Sequence, residues 1–307
     1  MNTPVAMIIF NRPDTTEQVF AEIARAKPPK LLVVADGPRA DRPGEETKCA
    51  AARAVIHRVD WDCDVLTHYA DRNMGCKQRI SSGLDWVFDT VEEAIILEDD
   101  CLPHPSFFRF CEELLEKYRH DDRIGSISGN NFQFGRKRTE ESYYFSRYCH
   151  IWGWATWRRA WKFYDVNLSL WPEVKEGGWL KDILGDLKQV RYWKKIFQNV
   201  ADGKIDTWDY QWLFSCWVNS MLTILPNVNL ISNIGFGSEA THNTRASRLA
   251  NIPSGDIGFP LNHPKLVVRN EQMDLVTAKS AYNIPTGKRV LDYLLFRARA
   301  ILSKGKR

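Results

Sequence analysis

Three consecutive acids, Glu98-Asp99-Asp100, follow a short apolar run from Ala94 to Leu97. Carboxylates this close repel one another unless a cation or donor groups neutralise them. A hard divalent ion such as Mg²⁺ or Mn²⁺ suits oxygen ligands, and Mg²⁺ is commonly held by one or two carboxylates together with substrate phosphate oxygens. The other apolar runs of the N-terminal part also end in polar clusters: Asn11-Arg12, Asp36 and Asp71-Arg72. In an open α/β sheet, ligands bind outside the carboxyl ends of the strands, so four such clusters are expected to converge on one edge. Each taken singly is also an ordinary turn or cap signal, and the triplet alone reads equally as a metal-diphosphate site or a solvated turn. The chain contains no Gly-x-x-x-x-Gly-Lys-Ser/Thr and no Gly-x-Gly-x-x-Gly after the first strand, which disfavours P-loop and nicotinamide chemistry.

The elements that must hold these clusters alternate regularly over about the first 130 residues, the signature of a parallel α/β sheet. Strands are expected at Val5 to Phe10, Leu31 to Ala35, Val65 to Tyr69, Ala94 to Leu97 and Ile124 to Ser128. Between them the spacing predicts helices. One is capped by Asp14 and stopped by Pro28-Pro29, one runs from Glu45 to Val59, one contains Gly75 and Ser81-Ser82-Gly83, and one opens at Pro105. Beyond residue 130 the pattern loosens into aromatic-rich stretches, Trp152 to Trp161 and Tyr192 to Trp217, read as helices and loops. The expected organisation is a nucleotide-binding half over 1–130, a second half over 131–285 and a tail over 286–307.

The 307 residues suffice for a full core, and 44% hydrophobic with 26% charged residues argues against disorder. Lys plus Arg (42) barely exceed Asp plus Glu (38), so no general nucleic-acid-binding field is expected. Twelve Trp fit a large core or a cleft that stacks on sugar rings. The seven cysteines (Cys49, Cys63, Cys76, Cys101, Cys111, Cys149 and Cys216) are scattered without paired or metal-knuckle spacing and read as reduced thiols. No basic leader precedes Val5, and no apolar run approaches the roughly 18 residues that span a bilayer, so a cytoplasmic location is expected. In the tail, Leu291, Leu294, Leu295, Ala298, Ile301 and Leu302 share helical spacing among seven basic residues and one acid. Such a helix can rest on an anionic membrane or dock on the domain with a frayed basic end.

A first strand running into Arg12, then Val33-Val34-Ala35-Asp36-Gly37, Asp71-Arg72-Asn73-Met74-Gly75, Ile95-Ile96-Leu97-Glu98-Asp99-Asp100 and Pro105-x-Phe107-Phe108 form an ordered set. That set resembles GT-A glycosyltransferases, and among them the N-acetylglucosaminyltransferase I type and its bacterial relatives. The resemblance covers about the first 130 residues and continues faintly to about residue 245. It implies the GT-A, or nucleotide-diphospho-sugar transferase, fold: a mostly parallel central sheet flanked by helices, with an aromatic-rich acceptor-side half. Asp36 would accept from uracil or another base, Arg12 and Arg72 would lie near the nucleotide, and Asp99 near the ribose and donor. Asp100 would ligate Mn²⁺ or Mg²⁺, which stabilises the departing nucleoside diphosphate, while Glu98 orients.

Trp152-Gly153-Trp154-Ala155 resembles the family's segment at the sugar pocket and places Trp154 there, although tryptophans at this spacing also build cores. Asp209, in Trp208-Asp209-Tyr210, matches the late aspartate that deprotonates the acceptor hydroxyl in inverting members; alone it reads also as an acid at a helix start. Asn233-Ile234-Gly235-Phe236-Gly237-Ser238 resembles a loop that orders over bound donor, with His242 behind it as a contact to diphosphate or metal, or as a surface residue. The eukaryotic members carry an N-terminal membrane anchor not seen ahead of Val5, which favours a bacterial-style role on a cell-surface glycan or lipid-linked acceptor. Two rivals remain: a sugar-phosphate nucleotidyltransferase, which usually has a Gly-rich loop after its first strand, and a catalytically silent glycan-binding or assembly protein.

Overall fold

Every residue of β1 (Val5–Ile9) is buried, so this strand must lie inside a sheet covered on both faces. Pro13 then opens α1 (Pro13–Ala26), where its missing N–H costs nothing and its fixed φ suits the first helical turn. The alternation continues through β2 (Lys30–Ala35), α2 (Glu45–Val55), β3 (Asp64–Tyr69), α3 (Cys76–Thr90) and β4 (Glu93–Glu98). Next come β5 (Cys101–Pro103), α4 (Ser106–Lys117), β6 (Ile124–Ser128), β7 (Tyr143–Ser146) and β8 (Trp154–Trp157). The remaining elements are α5 (Arg158–Trp161), α6 (Trp171–Glu176), α7 (Leu180–Leu184), α8 (Leu187–Ala201), α9 (Asp209–Val218), β9 (Leu222–Pro226), β10 (Ile231–Asn233) and α10 (Glu271–Ala281). This computed structural model describes residues 1–135, 139–236, 249–282 and 284. Among them no helix is long and apolar enough to cross a membrane.

Eight strands form one sheet in the order β3-β2-β1-β4-β8-β6-β9-β7. The first four are mutually parallel. Beyond β4 the sheet is mixed: β8 runs antiparallel to both β4 and β6, β9 is parallel to β6, and β7 closes antiparallel on β9. The expected fifth strand, Ile124 to Ser128, is present, but β8 lies between it and β4. The segment Trp152 to Trp161, expected as helix and loop, therefore contains an interior strand followed by a single helical turn. Cross-strand pairing over 60 residues of sequence decides that conformation, which no local periodicity records.

Strand alternation divides the core into two layers. Ala6, Ile8, Leu32, Val34 and Ile96 face α3 and the tryptophan-rich helices, whereas Val5, Met7, Leu31, Val33 and Leu97 face α1 and α4. Gly83 is explained by the first layer, since a Cβ there would lie 2.4 Å from Val34 Cγ1; the glycine lets α3 settle close on β2. Gly75 is not inside α3 as expected but ahead of it, at φ 80°, where a left-handed turn releases the chain from the sheet edge into Cys76.

A second, two-stranded sheet pairs β5 with β10, bringing Cys101 opposite Asn233 and Pro103 opposite Ile231. It ties residues 231–236 to the turn that carries Glu98, Asp99 and Asp100. The basic tail expected over 286–307 lies outside the described residues.

Candidate functional site

The carboxyl ends of β1, β2 and β4 open on one cleft of about 400 Å³. Among its lining residues are Arg12, Asp36, Glu98, Asp99 and Asp100, with Asp206 and Asp209 from the segment entering α9. Six carboxylates (Asp36, Glu98, Asp99, Asp100, Asp206, Asp209) thus meet three guanidiniums, those of Arg12, Arg39 and Arg79. A diphosphate alone would be repelled by that balance, and a divalent cation accompanying it would correct it.

Arg12 is the internal counter-ion. Its Nη2 donates to Asp99 Oδ1 at 2.5 Å and its Nη1 to Asp100 Oδ2 at 2.9 Å. Burial opposes its charge, yet the two aspartates outweigh burial and push its pKa further up. Asp99 also accepts from the backbone N–H of Phe10 at 3.1 Å, which staples β1 to β4. Burial raises the Asp99 pKa to about 6, with Arg12 pulling down and Asp100 pushing up. Glu98 points into the same region with Oε1 buried and unpartnered among the described residues; burial first, then Asp100 and Asp99, hold its pKa well above the ordinary carboxylate value. Asp100 keeps 14% of its side chain exposed, accepts weakly from Asn233 Nδ2 at 3.4 Å, and its carbonyl accepts from Ile234 N at 2.8 Å.

Asp36 lines the cleft but commits its carboxylate to the frame. Oδ1 accepts from Gly37 N at 2.8 Å and Met74 N at 2.9 Å, and Oδ2 accepts from Asn73 Nδ2 at 2.9 Å. Burial raises its pKa while these donors pull it back. The carboxylate thereby locks the turn after β2 to the turn after β3. Arg72 contributes backbone to this contact: a Cβ on Gly37 would meet the Arg72 backbone at 2.5 Å, while the Arg72 side chain is exposed and does not line the cleft.

Two arginines that the sequence did not single out do line it. Arg39 is anchored by Glu45 and lies 5.5 Å from the Phe10 ring centroid, and Arg79 is fixed by the carbonyls of Ala35 and His68. Arg39 sits three residues after Asp36 and was within reach of the same strand-end argument. Arg79 faces inward from α3, and only the helix packing reveals it.

The opposite wall comes from residues 206–209 and from Trp152 and Phe236, whose rings are 5.7 Å apart. Thr207 Oγ1 donates to Asp209 Oδ1, and Asp209 is the first residue of α9. Asp206 accepts from Lys77 N at 3.3 Å at the start of α3. Cys76 stands within the electrostatic reach of both Glu98 and Asp209; burial, then those charges, raise its pKa and keep it a thiol.

Trp154 is a correction. It is 0% exposed and absent from the cleft lining, stacked at 5.6 Å on Trp208 and packed on Trp161 and Trp212. Pairing in β8 turns it under the helices, whereas Trp152, outside the strand and beyond Gly153 at φ 62°, keeps the cleft side together with Trp208. His242, with residues 237–238 of the expected loop, lies outside the described residues.

The donor set fits one protein ligand to a divalent cation. Asp100 offers a hard, partly exposed oxygen, and among the described residues no group of three His, Cys, Asp or Glu is arranged to hold a metal by itself. Ligand phosphate oxygens and water would complete such a shell.

No family model matches the chain, and no curated protein matches it. Solved structures do. One is an apo UDP-glucose pyrophosphorylase, 11% identical over 75% of this chain and 93% of that one, with a TM-score of 0.38. Another is mouse xyloside xylosyltransferase 1, 9% identical over 71% of this chain and 84% of that one, TM-score 0.35. A third is the 4-diphosphocytidyl-2C-methyl-D-erythritol synthase of Anaerococcus prevotii, 10% identical over 53% and 74%, TM-score 0.33. The likeness lies in the path of the chain.

Proposed function

We propose that the chain is an inverting, single-displacement glycosyltransferase of the GT-A type, moving a sugar from a nucleotide diphosphate, with UDP favoured, to a glycan or lipid-linked acceptor. The observation that carries this reading is the shared cleft: Arg12, Asp36, Asp99 and Asp100 at strand ends face Asp209 across it. A binding protein has no need of a carboxylate base opposite a cation-pyrophosphate site.

In this mechanism Asp209 accepts the proton of the acceptor hydroxyl as its oxygen bonds to the anomeric carbon. The bond from that carbon to the phosphate oxygen breaks, and its electron pair leaves with the nucleoside diphosphate. Asp100, aided by His242, would hold Mn²⁺ or Mg²⁺, which when bound stabilises the charge developing on the leaving diphosphate. Arg12 fixes Asp99 and Asp100 in place and offers its remaining donors to the nucleotide, while Arg39 extends the positive side of the cleft toward the phosphates. Asp36 lies on the side of the base, Asp99 faces ribose, and Glu98 orients its neighbours; Arg72 acts through its backbone and from outside the cleft.

The test is a thermal-shift screen of nucleotide sugars with and without Mn²⁺, followed by product analysis. A uridine-containing donor should stabilise only with metal and slowly release UDP. Release of pyrophosphate from a nucleoside triphosphate with a sugar phosphate would replace this reading with a nucleotidyltransferase, and stabilisation by no donor would remove it.

A further inference from the structure

The outer face of α8 is unlike the rest of the surface. Its residues 187–201 contain no acid, and Asp186 just before it is used as the N-cap, accepting from Lys188 N and Gln189 N at 2.9 and 3.0 Å. Gln189, Trp193, Phe197 and Val200 point inward. At 100° per residue, Leu187, Lys188, Arg191, Lys194 and Lys195 fall together on the opposite side, within an arc of about 120°, and all five are exposed. None of the four cations is paired with a carboxylate among the described residues. Two large apolar side chains in the same stretch of chain are also in the open. Trp179, immediately before α7, is 53% exposed, and Leu187, the first residue of α8, is 58% exposed.

Four unpaired cations around an exposed leucine, with a half-exposed indole eight residues upstream in the chain, match a charged, amphipathic boundary. Phosphate headgroups answer the cations, and the headgroup-acyl boundary takes Trp and Leu, which neither water nor a nucleic-acid backbone rewards. We infer that the outer face of α8, with Trp179 and Leu187, is a docking surface for an anionic lipid bilayer. The consequence for the site follows from the chain path. Five residues after α8 ends at Ala201, the chain reaches Asp206 and the wall that carries Asp209. Docking through α8 would therefore hold this wall at a fixed distance from the bilayer. This surface is separate from the C-terminal residues and does not depend on the transfer reaction.

Flotation of the full-length protein with vesicles tests it. Binding to phosphatidylcholine vesicles should be weak and should rise sharply when phosphatidylglycerol is included. Reversing the four charges together (Lys188→Glu, Arg191→Glu, Lys194→Glu, Lys195→Glu) should lower partition at least about 30-fold, because each basic residue near an anionic surface contributes several-fold. Trp179→Ser with Leu187→Ser should lower it at least about threefold. Both variants keep the C-terminal basic residues, and an unchanged melting temperature shows that they fold. The inference fails if the parent does not float with anionic vesicles or if the charge-reversed variant floats like the parent. It fails equally if the apolar variant floats unchanged while the parent binds DNA as tightly, which would make the face a general polyanion surface. Partition is read without any activity, so a failed transferase assay and a failed flotation are distinguishable.

Discussion

Arg12 Nη1 lies 2.9 Å from Asp100 Oδ2, on the carboxylate best placed to bind a cation in the cleft. Arg12 thus takes Oδ2, while Oδ1, with only the weak Asn233 and Cys101 contacts at 3.4 Å, is the oxygen left for a further ligand. Asp99 keeps Arg12 neutralised whichever partner Asp100 takes.

Asp100→Ala should leave the fold intact, since Arg12 retains Asp99, but abolish the Mn²⁺-dependent part of donor stabilisation. Turnover should fall at least about 100-fold, as expected when several kcal/mol of leaving-group stabilisation is removed. Metal-dependent thermal shift is the measurement, and a variant that still shows the parent's Mn²⁺ response would exclude Asp100 as ligand.

Gly235 packs directly on that pair: a Cβ at this position would lie 2.1 Å from Asp100 Oδ2 and 2.6 Å from Arg12 Nη1. Gly235→Ala must lift residues 233–236 or tilt the ion pair. Because Asp100 O and Asn233 Oδ1 anchor this segment through Ile234 N and Gly235 N, the strain falls on the cleft and not on the core. Donor affinity should weaken by about tenfold, the scale of one lost hydrogen bond or displaced contact, with a melting temperature near the parent's. Isothermal titration with a uridine nucleotide reads the first and calorimetry the second.

The parallel half of the fold was legible because its inner strands β1, β2 and β4 are largely buried on both faces and its helices are amphipathic, as in Val5–Ile9 and in Val19, Phe20 and Ile23 of α1. Arg12, Asp36, Glu98, Asp99 and Asp100 were legible for the same reason: a strand end fixes where the next side chain points. Legibility fails where a partner distant in sequence decides. Trp154 to Trp157 becomes a strand only between β4 and β6, and this turns Trp154 inward. Asn233 meets Asp100 only through the pairing of β10 with β5. Arg79 reaches the cleft because Gly83 lets α3 lie close to β2, a distance that no spacing rule contains.

His150 should give the chain a pH-dependent stability unrelated to the cleft acids. It is 5% exposed, its ring packs 4.4 Å from that of Phe132, and its Nε2 has no hydrogen-bond partner among the described residues. Burial lowers its pKa from 6.5 to about 3, so between those values the unfolded chain takes up a proton that the folded chain refuses. Stability is then complete above the unfolded value and declines as pH falls through the window, by at most about 1.4 kcal/mol per pH unit. Urea unfolding at pH 6.5 and 5.5 should show the parent losing about 1 kcal/mol more than His150→Leu, the difference separating the imidazole from Asp99 and Glu98, whose raised values shift stability the other way in both proteins. Equal slopes would mean that the imidazole is solvated.

Asp209→Asn should separate binding from chemistry. The amide can still accept from Thr207 Oγ1 and still sits at the start of α9, so the fold and donor affinity should persist. It cannot take a proton from the acceptor, and kcat should drop by about 10²–10⁴-fold with little change in the KM for donor. An unchanged kcat would move the base elsewhere, with Asp206 the next carboxylate on the same wall.

Trp152 and Trp154 are two residues apart and should behave as opposites. Trp154 is enclosed by Trp161, Trp208 and Trp212, so Trp154→Ala empties a large volume that aromatic neighbours on a sheet cannot refill; the cost should be about 3–5 kcal/mol of stability. Trp152 keeps one edge on Phe132 and Phe236 and another open to the cleft, so Trp152→Ala removes less packing and more ligand surface. Its stability loss should be the smaller of the two and its loss of sugar-dependent binding the larger, when a nucleotide sugar is compared with the bare nucleotide diphosphate. Denaturant titration and calorimetric binding on the same pair of variants measure both. The reverse ranking would return Trp154 to the sugar pocket, because only a side chain in contact with the hexose can distinguish the sugar from its absence.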